Sequence, residues 1–102
     1  MGLYRQGDVL FVEVDEPAPG VTVAPIRGEV ILALGEVTGH HHAVKESESI
    51  LIDNGMERFL YTKVISRVTH EEHSTITLPA GKYFKVLIQH EYTPVAIQRV
   101  ID

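Results

Sequence analysis

Five of the six histidines in this 102-residue chain fall in two short clusters, Gly39-His40-His41-His42 and Thr69-His70-Glu71-Glu72-His73. Imidazole is the commonest protein metal ligand, and a neighbouring carboxylate can ligate as well or orient the ring from behind. Two such clusters about 30 residues apart are how a small fold assembles one site from two segments. If residues 40–44 are extended, His40 and His42 project from one face and His41 from the other. Glu46, four positions past His42, is a candidate carboxylate. In the second cluster the histidines stand at i and i+3, whereas a zinc-protease helix sets them at i and i+4. Residues 70–73 therefore read as a bend between strands that turns both rings inward. The candidate ligands are His40, His42, His70 and His73, with Glu46, Glu71 and Glu72 as further ligands or orienting groups. The bland alternatives are a surface polyhistidine patch and an acidic turn with solvated histidines. His90, alone at a strand end, reads as structural.

The chain has no cysteine, so it offers neither thiolate ligands nor disulfides. The expected cofactor is a divalent ion held by nitrogen and oxygen, with Zn first and Fe, Mn or Ni as alternatives. Four neutral imidazoles would complete a tetrahedral zinc shell with no open position. Nothing supports nucleophilic catalysis: there is no Cys, no G-x-S-x-G, no phosphate-binding G-x-x-x-x-G-K-[ST] and no dinucleotide fingerprint.

The elements that must position these side chains read as β throughout. Asp8–Val14 is β-branched and aromatic and stops at Asp15-Glu16-Pro17-Ala18-Pro19-Gly20. Val21–Ile26 is a short strand with Pro25 marking an edge or an end. Glu29–Leu34 is a continuous apolar run read as a buried strand. Gly35 and Gly39 bracket backbone bends before the histidines. Ser49–Asp53 and Arg58–Thr62 flank Asn54-Gly55, a strong hairpin signal. Val64–Thr69 continues or follows that second strand. Ser74–Leu78 and Tyr83–Ile88 flank Pro79-Ala80-Gly81 and read as another hairpin. Arg5-Gln6-Gly7-Asp8 reads as an N-terminal turn in which nothing demands chemistry. Thr93-Pro94 onward is the one candidate helical turn.

These readings predict a single all-β domain over residues 1–102, a small barrel or sandwich of short antiparallel strands. At this length about 60–70% of the unfolded surface can be buried. The hydrophobic content of 44% and charged content of 23% suit a packed domain. A net charge of −5 with scattered Lys and Arg argues against nucleic acid or an anionic membrane as partner. No apolar run approaches a membrane span, and the N-terminus lacks a signal-peptide core, so a cytoplasmic protein is expected.

Two resemblances attach to these motifs. Gly35, His40-x-His42, Glu46 and the later Pro79-Ala80-Gly81 resemble the cupin metal signature, a glycine, H-x-H, a glutamate and then P-x-G. Gly35 stands one residue too close, and Phe84 stands where that pattern has its third histidine. Over nearly the whole chain the lettering resembles a group of small uncharacterised bacterial and phage proteins. The residues concerned are Arg5-Gln6-Gly7-Asp8-Val9-Leu10, Gly35-Glu36-Val37-Thr38-Gly39-His40, His42, His70-Glu71-Glu72-His73, Leu78-Pro79, Gly81, Tyr83, Gln89 and Glu91-Tyr92. That resemblance implies that His40, His42, His70 and His73 belong together, with His41 and His90 as passengers. Three functions follow as expectations. The first is a metal-binding β module whose ion is structural or regulatory. The second is a metal-free assembly protein, phage-associated or homo-oligomeric, that pairs through strand edges. The third is a small cupin-like metalloenzyme, hydrolase or oxygenase, with Glu71 or Glu72 as general base.

Overall fold

The computed structural model describes residues 2–17, 19–34 and 39–89. The reading of Gly35, His90 and the turn at Thr93-Pro94 lies outside them. The described residues form ten strands and no helix. In chain order they are β1 Leu3–Gln6, β2 Val9–Val14, β3 Val21–Thr22, β4 Glu29–Leu34, β5 His41–Lys45, β6 Ser49–Asp53, β7 Arg58–Thr62, β8 Ser66–Val68, β9 Ile76–Leu78 and β10 Tyr83–Ile88. Every pairing is antiparallel. The main sheet has six strands in the order β1-β2-β10-β7-β6-β3, and two ribbons, β4-β5 and β8-β9, accompany it. The main sheet ends at β1 on one side and β3 on the other, so of the two expected architectures the closed barrel is not formed.

One apolar cluster joins the three sheets. Val9, Phe11, Leu51, Leu60, Phe84 and Val86 come from the main sheet, Val30, Leu32, Ala33 and Val44 from β4-β5, and Val68 and Leu78 from β8-β9. Alternation in β2 places Val9 and Phe11 inside, as a strand with one buried face requires. In β4 the alternation breaks. The register shifts between Ile31 and Ala33, so Leu32 and Ala33 both turn into the core. The Leu32 carbonyl is taken by the Arg58 guanidinium. A bulge of this kind re-aims the residues opposite it, and here it sets Ala33 against His42.

The hairpin at Asn54-Gly55 forms, closing with Asp53 opposite Arg58. Asn54 Oδ1 accepts the Met56 and Glu57 amides, and Gly55 takes φ +93°. Three expectations need correction. Ser74–Leu78 and Tyr83–Ile88 are not a hairpin: β9 pairs with β8, whereas β10 lies between β2 and β7. The Pro79–Lys82 connection crosses from ribbon to sheet, anchored where Thr62 Oγ1 donates to the Pro79 carbonyl at 2.6 Å. Val21–Ile26 is a strand only over Val21–Thr22, with an isolated bridge from Ile26 to Glu29. Leu3–Gln6 is a strand and not part of a turn. The tight turn is Gly7-Asp8, with Gly7 at φ +59°.

Candidate metal centre

Three connections meet at one end of the fold. β5 is joined to the residue after β8 by reciprocal backbone bonds, Ala43 N to Thr69 O at 3.0 Å and Thr69 N to Ala43 O at 2.8 Å. This bridge sets residues 70–73 beside the start of β5. The β1–β2 turn is drawn to the same place by Gln6, whose side-chain amide donates to the Val68 carbonyl at 2.8 Å and to the Ser74 carbonyl at 3.0 Å.

The imidazoles of both clusters converge there. Ring centroids lie 5.8 Å apart for His40 and His70, 4.3 Å for His42 and His70, 4.6 Å for His70 and His73, and 6.0 Å for His42 and His73. His41 lies elsewhere, as strand alternation dictates. Its ring is within 3.6 Å of Glu29 Oε1 and 3.3 Å of Glu71 Oε2. Its backbone amide donates to Glu71 Oε1 at 2.8 Å. That amide, with the backbone amide of Glu71 itself, holds the exposed Glu71 carboxyl below its usual pKa.

His40, His70 and Glu71 offer donor atoms that all lie within 4.8 Å of one another. Nδ1 of His40 is buried and has no hydrogen-bond partner among the described residues. Its closest charge is Glu72 Oε1 at 3.7 Å, too far for a hydrogen bond. A buried nitrogen left unpaired costs on the order of 1–3 kcal/mol, and a cation would satisfy it. Nδ1 of His70 accepts the Glu72 amide at 3.0 Å, so an ion bound there must displace that amide. Glu46 is not in this group. It follows the far end of β5, and its amide bonds to the Gly28 carbonyl.

His42 is 1% exposed, and the hydrogen bonds around it fix its chemical form. Both amide bonds of Gln6 are donated to carbonyls, so its Oε1 faces His42 Nδ1, at 2.8 Å, as an acceptor. Nδ1 therefore carries the proton, and Nε2 is the lone-pair nitrogen of the neutral ring. Burial, reinforced by His70, pushes the His42 pKa below 6.5, with Asp8 acting in the opposite sense. A ring that donates one N–H to a fixed carbonyl and presents the other nitrogen is the usual form of a metal-ligating histidine. Nε2 lies 3.5 Å from Asp8 Oδ1. His73 is exposed, and its ring rests on the turn: a β-carbon on Gly7 would lie 2.5 Å from His73 Nε2.

Gln6 and Asp8 are the site residues that sequence reasoning missed. Their signal was Gly7 between two polar residues ahead of an apolar strand, a pattern that most often marks an ordinary turn.

A family model described as a domain of unknown function (DUF8820) matches residues 5–89, so the chain belongs to that family. The match takes in both histidine clusters and the Gln6-Gly7-Asp8 turn. No curated protein and no solved structure matches the chain.

Proposed function

We propose that this member of the family is a metal-binding β module whose ion ties the start of β5 to the β8–β9 connection. The observation that carries the reading is the group of His40, His70 and Glu71, with donor atoms within 4.8 Å and the His40 Nδ1 otherwise unpartnered. The rings of His42 and His73 lie tilted against that of His70, at 4.3 and 4.6 Å, and extend the same centre. Nitrogen and carboxylate donors without thiolate suit Zn first, and Fe, Mn or Ni as alternatives. The role is structural or regulatory, because the donors come from separate connections that the ion would hold together.

The test is metal analysis of untagged protein purified without a metal resin, followed by unfolding with and without chelator. Bound zinc is expected, as is a lower midpoint after chelation. An ion at 100 times its Kd contributes about 2.7 kcal/mol, roughly 10–20 °C for a domain of this size. His→Ala at position 40, 42, 70 or 73 should reduce bound metal, and His41→Ala should not. A protein that contains no metal, and whose midpoint none of Zn, Mn, Fe and Ni moves, would refute the reading.

A further inference from the structure

We infer that the centre holds two ions, and that the second is taken by Asp8 and the Nε2 of His42, with His73 as the remaining protein ligand. This rests on the metal reading above and adds a binding position to it. Asp8 belongs to the β1–β2 turn, a segment that contributes nothing to the group of His40, His70 and Glu71.

The His42–Asp8 distance carries the argument. A carboxylate paired with an imidazole through a charge-assisted hydrogen bond sits at about 2.7–2.9 Å. Here the two atoms are 3.5 Å apart. Ligand bonds of 2.0–2.2 Å in a tetrahedral shell set neighbouring donors roughly 3.3–3.6 Å apart. The pair therefore has the spacing of two donors on one ion and is too open for a strong hydrogen bond. Gln6 closes the other option. It holds the proton on Nδ1, so in the neutral ring Nε2 and Asp8 present lone pair to lone pair, an arrangement that a cation between them relieves.

Donor number then separates this position from the first. The mutually close donors are those of His40, His70 and Glu71, and neither His42 nor Asp8 falls inside that group. The side chains thus sort into one set of three close donors, His40, His70 and Glu71, and a close pair, His42 and Asp8, that His73 would join by a change of rotamer. The rings of His70 and His42, one from each position, lie 4.3 Å apart. His73 makes no hydrogen bond to the described residues, and its ring lies against Gly7 of the same turn, so it is free to move in as the third ligand.

The experiment counts ions. Chelator-stripped protein is titrated with Zn2+, and the zinc-bound species are resolved by native mass spectrometry. Co2+ is titrated in parallel, and its visible spectrum reports the ligand set. Wild-type protein is expected to take two ions. Asp8→Asn and Asp8→Ala should each take one, while keeping the wild-type circular dichroism. His40→Ala combined with Glu71→Gln should also keep one, whose Co2+ spectrum differs from that of Asp8→Asn. A wild-type protein that saturates at one ion overturns this inference and leaves the metal reading standing. So does an Asp8→Ala variant with wild-type stoichiometry and an unaltered Co2+ spectrum. A wild-type protein that binds none overturns the metal reading itself.

Discussion

Replacing Gln6 with leucine tests the reasoning behind the centre most directly. The side chain is 2% exposed and makes three bonds: it donates to the Val68 and Ser74 carbonyls and accepts from His42 Nδ1. Leucine is close in size, so the perturbation is chemical and leaves no large cavity. Ser74 is exposed, and water can restore its carbonyl bond. His42 and Val68 are buried, and water cannot reach them in the same way. An unpaired buried polar group costs on the order of 1–3 kcal/mol. Two such groups, offset in part by the apolar surface that leucine buries, give a net loss of about 2–3 kcal/mol, dominated by the stranded His42 N–H. The assay is urea unfolding of chelator-treated protein followed by circular dichroism. Nitrogen NMR of the His42 ring supplies the second readout: wild-type protein should show the Nδ1–H tautomer, and Gln6→Leu a mixture. A stability loss below about 1 kcal/mol, or an Nε2–H tautomer in wild-type protein, would refute the account of how the ring is held.

Much of the scaffold was legible in the sequence because a strand announces itself locally. Glu29–Leu34, Ser49–Asp53 and Arg58–Thr62 were read with the bounds that the structure gives β4, β6 and β7. Pairing was less legible, because alternation says that a segment is extended and not which neighbour it takes. Pro79-Ala80-Gly81 has the composition of a hairpin turn, yet the chain there leaves the β8-β9 ribbon and enters the main sheet between β2 and β7. The two histidine clusters stood out by residue type alone. What their rings would touch did not, because those contacts span 36 residues from Gln6 to His42 and depend on the Ala43–Thr69 bridge. Gln6 and Asp8 also looked like turn residues, since polar side chains beside a glycine are what a turn requires anyway.

Glycine 7 offers a second test. Gly7→Ala meets both a left-handed φ of +59° and a clash with His73 Nε2, whereas Gly55→Ala at φ +93° meets open space. Both variants should lose stability, on the order of 1–2 kcal/mol from backbone strain, but only Gly7→Ala should also weaken metal binding; equal metal affinity in the two variants would show that His73 plays no part. Acid should weaken the metal-free protein in two stages, and the sign follows from the direction of each shift. His42 has its folded pKa below 6.5, so between that lowered value and 6.5 the unfolded chain binds more protons than the folded one. Stability is therefore lost as pH falls from about 6.5. Glu71 is also lowered, from 4.5, and its contribution is present above that value and lost as pH drops through and below it. Because Glu71 is exposed, its share should fade in high salt, whereas that of buried His42 should persist. Urea midpoints of chelator-treated protein measured from pH 8 to 4, at low and high salt, separate the two. His42→Gln should flatten the upper stage and leave the lower one. A wild-type midpoint that rises as pH falls from 7 to 5.5 would mean that the ring is stabilised as the cation, and the Gln6 clamp would then not be holding a neutral, metal-ready histidine.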